Sequence, residues 1–126
     1  MTEEETRVIR DLVAAISSHD VEKMASLFTE DCFYEDVALG SVTRGIEALK
    51  DGYVNLFATI PDSRLELESL FIAGNWVGSE WVMTGTPTIG KSFSTRAASI
   101  SELQGGKVKR NTDSYDPALL QICLAK

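Results

Sequence analysis

Four polar side chains, Tyr34, Asp36, Glu80 and Asp113, sit in segments whose spacing predicts β-strands and carry most of the chemistry open to this chain. In residues 107–115 a period of two puts Asn111, Asp113 and Tyr115 on one face. In residues 76–86 the same period groups Trp76, Gly78, Glu80, Val82 and Thr84, and in residues 92–103 it groups Thr95, Ala97, Ser99 and Ser101. The short run 32–37 sends Cys32, Tyr34 and Asp36 one way and Phe33 and Glu35 the other. No Arg or Lys shares these faces except toward the strand ends, as at Lys109.

Carboxylates held in a dry site with no cation beside them rise in pKa, because desolvation and mutual repulsion both disfavour ionisation. Two that approach closely share a proton and titrate as a pair. A carboxylate poised nearer neutrality can remove a proton next to a carbonyl and return it elsewhere. Tyr34, or a neighbouring acid, can donate a hydrogen bond to the enolate oxygen as charge develops. Each residue also has a plainer role. Asp113 could simply bond Tyr34 or Asn111, Asp36 could be solvated at a pocket mouth, and a register error of one residue would turn Glu80 outward. Trp76 and Trp81 fit a core or a subunit interface, and Asp116 before Pro117 fits a helix N-cap.

The elements that must position these groups follow from apolar spacing. Val8, Ile9, Leu12, Val13 and Ile16 recur at helical intervals behind the acidic run Glu3 to Glu5, which suits a helix N-terminus. Asp20 can cap a second short helix with Val21, Met24, Leu27 and Phe28. After a loop from Gly40 to Gly45, a third helix carries Ile46, Leu49, Tyr53, Leu56, Phe57 and Ile60 on one stripe and stops at Pro61. Everything later reads as strand, with turns at Gly74-Asn75 and Gly105-Gly106, until a short terminal helix through Leu119, Leu120 and Cys123. Three helices followed by an antiparallel meander predict an α+β fold: a cone-shaped barrel of highly curved antiparallel sheet, wrapped by the N-terminal helices around an apolar pocket.

Composition narrows the functions. With 126 residues the chain suits one domain, residues 1–126. Twelve Lys and Arg against 19 Asp and Glu give a net charge of −7, which argues against nucleic acid and against an anionic membrane as partners. No apolar run approaches the roughly 20 residues of a membrane span, and the acidic start is unlike a secretory signal. Two distant cysteines and a single histidine, His19, give no disulfide framework and no His/Cys metal site. The expectation is a cytoplasmic, metal-free domain working with carboxylates, hydroxyls and aromatics.

The element order and several phrases resemble the nuclear transport factor 2-like superfamily, in particular its SnoaL-like branch. The phrases are Leu27-Phe28-Thr29-Glu30-Asp31, Gly90-Lys91-Ser92, Gly106-Lys107-Val108 and Asp113-Ser114-Tyr115-Asp116. Against limonene epoxide hydrolases, Tyr34 and Asp113 match site positions, Asp36 replaces an Asn, and the Arg-x-Asp pair reads Glu80-Trp81-Val82. Against ketosteroid isomerases, Asp36 falls at the general base, while Leu12 and approximately Ser99 stand where the oxyanion hole would be. The SnoaL-type polyketide cyclases, which use a last-strand carboxylate and no cofactor, conflict least with these residues. The resemblance implies that the strand faces carrying Glu80 and Asp113 look into the pocket, and that the protein is a homodimer packing sheet against sheet. The reading is a cofactor-independent acid–base enzyme, a cyclase, isomerase or dehydratase, on an apolar carbonyl-bearing polyketide- or terpenoid-like molecule. Its catalytic candidates are Asp113, Glu80, Tyr34 and Asp36. The pocket wall would be Trp76, Val82, Thr84, Thr95, Ala97, Ser99, Asn111 and Tyr115, with Tyr53 and Phe57 from the third helix. A pocket protein that binds without turnover, and an epoxide hydrolase with rearranged acids, are the alternatives.

Overall fold

The computed structural model describes residues 2–118, so the terminal helix expected through Leu119, Leu120 and Cys123 lies outside the described residues. Helix α1 (Thr2–Ser17) is followed by α2 (Val21–Ser26), strands β1 (Phe28–Asp36) and β2 (Ser41–Arg44), helix α3 (Ile46–Thr59), and strands β3 (Arg64–Ala73), β4 (Trp76–Gly85), β5 (Phe93–Gln104) and β6 (Lys107–Tyr115). The predicted boundaries shift where tertiary pairing competes with local pattern. Phe28 leaves α2 and starts β1, because it pairs with Val108 while the Val108 N–H donates to Leu27. The loop before α3 contains β2, which pairs antiparallel with β1. Asp20 caps α2 as expected, its Oδ1 accepting from the Lys23 N–H at 3.0 Å.

The six strands form one sheet in the order β2-β1-β6-β5-β4-β3. Strands β3 to β6 are an antiparallel meander, but β1 pairs with β6 in parallel. The α+β architecture, with helices over a curved sheet, is the one expected; the sheet itself is mixed and open where antiparallel pairing throughout was expected. Two chain segments far apart in sequence meet at the β1–β6 seam, and it puts Tyr34 beside Asn111 and Asp36 beside Asp113. No local pattern encodes that meeting.

The helices cover one face of the sheet. Ile9, Leu12 and Ile16 of α1 recur at helical spacing and bury with Met24, Phe28 and Leu49. Each such side chain contributes about 1.5–3 kcal/mol by leaving water. A smaller cluster of Ile60, Met83 and Phe93 closes the far end. Between α1 and α2, His19 holds a left-handed backbone with φ at 58°. Its ring is tied down by stacking on Phe57 at 4.1 Å and by a 2.9 Å bond from Nε2 to the Ser63 carbonyl. Among the described residues no helix is long and apolar enough to cross a membrane.

The other sheet face carries an apolar row across three strands. Phe71, Gly78 and Ile100 are register partners, and Phe71 and Ile100 are 65% and 56% exposed. The Phe71 ring lies flat over Gly78: a Cβ there would come within 2.3 Å of its ring carbons. Gly78 therefore belongs to the outer face.

Candidate active site

Between α1, α3 and the sheet lies a cavity of about 520 Å³, within the size range of small-molecule sites. Its helical wall presents Leu12, Ile16, Leu49 and Leu56 together with Asn55 and Thr59, and its sheet wall carries Asp113 and its hydrogen-bond partners. At the centre of that wall sits Asp113, 7% exposed. Its Oδ1 accepts from the Ser99 hydroxyl at 2.5 Å and from the Asn111 amide at 2.7 Å, and its Oδ2 accepts from the Tyr34 hydroxyl. Each donor has a further partner. Trp81 Nε1 donates to Ser99 at 2.8 Å, Ser101 donates to the Asn111 carbonyl at 2.7 Å, and the Tyr34 and Tyr53 hydroxyls lie 2.9 Å apart.

All three donors to Asp113 are neutral. Burial, the largest effect, raises its carboxyl pKa; the bonds from Ser99, Tyr34 and Asn111 oppose that rise, and the nearby Asp36 charge adds to it. Burial likewise drives the Tyr34 and Tyr53 phenols upward, reinforced by the Asp113 charge. A carboxyl of raised proton affinity that lines a cavity can both take and return a proton. Asp36 is more open. Its Oδ1 accepts from the Leu39 N–H at 2.9 Å and its Oδ2 from the Tyr115 hydroxyl at 2.8 Å, and both Asp36 and Tyr115 line the cavity. Among the described residues no group of three or more His, Cys, Asp or Glu side chains is arranged to hold a metal ion.

The structure brings together Asp113, Tyr34, Asp36, Asn111, Tyr115, Ser99, Thr95 and Tyr53 around this cavity. It does not bring Glu80, Trp76, Val82 or Thr84 there. The inward face of β4 is Val77, Ser79, Trp81 and Met83, one residue out of step with the expectation, so all four lie on the opposite face. Glu80 is exposed and accepts from Ser69 at 2.7 Å. Ala97 is buried on the inward face of β5 without lining the cavity, and Phe57 packs on His19 instead of reaching it. Arg96, the displaced cation that an epoxide-hydrolase arrangement would need, is exposed and pairs with Glu68 at 3.8 Å.

Sequence reasoning missed Trp81 and Ser79 as wall residues, and Arg64, which reaches the rim from β3. Both faces of β4 mix apolar with small polar residues, so alternation alone could not choose. Glu80 and Thr84 in phase with Gly78 were the available signal that this set faces water.

Comparison with known proteins agrees with this architecture. The SnoaL-like domain family matches residues 9–111. The chain belongs to that family. Cyclase aurE of Calcarisporium arbuscula is 27% identical over 107 residues, covering 81% of this chain and 79% of that protein. A SnoaL-like protein of Jannaschia sp. CCS1, proposed to be a polyketide cyclase, superposes with a TM-score of 0.85 at 16% identity, over 98% of this chain and 94% of its own. A hypothetical protein of Catenulispora acidiphila with a ketosteroid isomerase-like fold, solved with trimethylamine, superposes with a TM-score of 0.84 at 23% identity, over 94% and 89% of the two chains. The two structures establish the shared fold.

Proposed function

We propose that this SnoaL-like domain is an acid–base enzyme, a cyclase or isomerase, acting on an apolar carbonyl-bearing molecule of polyketide or terpenoid type. The observation that carries the reading is Asp113: buried in the sheet wall of a cavity whose helical side presents Leu12, Ile16, Leu49 and Leu56, and held by neutral donors alone. In this scheme the ionised carboxylate takes a proton from the carbon beside a ligand carbonyl. The C–H pair becomes an enolate, which attacks a second carbonyl to close a ring or is reprotonated at another carbon. The proton returns from Asp113 to the new alkoxide or carbon, so the reaction balances without a co-reactant. Similarity to a named cyclase supports the same class. Tyr34 orients the carboxylate, and Asp36 with Tyr115 frames the entrance. The exposed Phe71 and Ile100, on either side of Gly78 on the outer sheet face, support pairing of two copies through those faces.

The test uses 2-tetralone, an apolar ketone with acidic α-hydrogens. Its exchange in deuterated buffer, followed by NMR, accelerates with the wild type and falls to the buffer rate with Asp113→Asn. Equal exchange by both removes Asp113 from the chemistry, and a wild type at the buffer rate refutes the reading. Native mass spectrometry of protein from its own host then identifies the natural ligand.

A further inference from the structure

The hydrogen bonds around Asp113 form three arms that differ in whether they can reverse. In one, Trp81 donates to Ser99 and Ser99 to Oδ1. In the second, Ser101 donates to Asn111 and the Asn111 amide nitrogen to Oδ1. An indole N–H and an amide nitrogen only donate. Reversing these arms strands the buried Ser99 hydroxyl hydrogen or turns a buried amide over. The third arm contains hydroxyls alone: Tyr53, 2.9 Å from Tyr34, and Tyr34 on Oδ2. A hydroxyl both donates and accepts, so this arm reverses by two O–H rotations.

The two directions present different groups to the cavity. With Asp113 ionised, Tyr53 donates to Tyr34 and Tyr34 to Oδ2. With Oδ2 protonated, Asp113 donates to Tyr34 and Tyr34 to Tyr53, which leaves the Tyr53 hydrogen for whatever occupies the cavity. Tyr53 is buried and lines the cavity, and its hydroxyl bonds Tyr34 alone among the described residues.

Building on the acid–base reading, we propose that Tyr53 is a catalytic residue: its hydroxyl, at the end of the Asp113–Tyr34 relay, turns to the ligand's oxygen as Asp113 takes the proton from carbon, and then hands that oxygen a proton. In the transfer the Asp113, Tyr34 and Tyr53 O–H bonds break. New O–H bonds form on Tyr34, on Tyr53 and on the ligand oxyanion, and the carboxylate is regenerated. The ligand therefore presents an oxygen to Tyr53 and an acidic C–H to Asp113, with its apolar body against α1.

Two measurements test this. Tyr53→Phe keeps the ring and removes the hydroxyl; 2-tetralone exchange falls about 100-fold, the usual cost of one oxyanion donor. The second is fluorescence titration with 2-acetonaphthone, whose carbonyl oxygen only accepts hydrogen bonds. In Asp113→Asn the amide nitrogen donates permanently to Tyr34 and holds the arm pointing outward. That variant binds 2-acetonaphthone about tenfold more tightly than wild type at pH 8, the gain of one added hydrogen bond to the ligand. The gain disappears in the Asp113→Asn/Tyr53→Phe double variant. Exchange by Tyr53→Phe at the wild-type rate overturns the proposal. So does a tightening that survives without the Tyr53 hydroxyl, or failure of 2-acetonaphthone to bind either wild type or Asp113→Asn. A wild type inactive on 2-tetralone refutes the acid–base reading alone, because the titrations still report the relay.

Discussion

Replacing Asp113 in two ways separates its hydrogen bonds from its charge. Asp113→Ala removes the acceptor of three donors. The Ser99 hydroxyl and the Asn111 amide are left buried without it, while the Tyr34 hydroxyl can turn to water in the cavity. At about 1–3 kcal/mol per stranded donor, the loss is about 2–6 kcal/mol, a fall in Tm of at least about 8 °C for a chain of this size. Asp113→Asn keeps the contacts, since its oxygen can face Ser99 and Asn111 and its nitrogen Tyr34. It also removes the burial of a charge. The folded-state pKa of Asp113 is raised above its ordinary value of 3.8, so between those two values the folded protein binds more protons than the unfolded chain. Wild-type stability therefore falls as pH rises through that window. The Asp113→Asn variant has no such dependence at this site. Its advantage over wild type is smallest at the acid end, grows through the window and is level above the raised pKa. Urea unfolding of the three proteins across a pH series reads this directly. An Asp113→Ala protein as stable as wild type, or an Asn-for-Asp difference that ignores pH, would refute the argument.

Three further outcomes follow from the placement of other residues. Glu80→Gln leaves 2-tetralone exchange within about twofold of wild type and stability within about 0.5 kcal/mol, because Glu80 bonds Ser69 on the outer face; a large loss of exchange would put the carboxylate back in the site. Ile16→Trp fills the cavity from α1 and abolishes 2-acetonaphthone binding while far-ultraviolet circular dichroism stays unchanged, and undiminished binding would show that ligands sit elsewhere. Phe71→Glu moves the sedimentation coefficient from that of a pair of copies to that of a single one; an unaltered coefficient excludes the outer sheet face as the contact.

Much of the site was legible in the residues. Alternation alone set Asn111, Asp113 and Tyr115 on one face of the last strand and Tyr34 with Asp36 on the first. The helical stripe of α3 presented Tyr53, and Asp20 announced the start of α2. These are local properties, decided by the periods of strand and helix and by the reach of a side chain to a backbone N–H three residues on. Tertiary structure decided the rest. Which face of β4 turns inward depends on its pairing with β3 and β5 and on what packs over the sheet, and that choice exchanged Glu80 for Trp81. The parallel seam of β1 with β6 brings Tyr34 to Asp113 across 79 residues of chain. A sequence period fixes which side chains share a face. Only the packing of distant segments fixes what that face meets, because burial and hydrogen bonding across the seam are won by the whole fold at once.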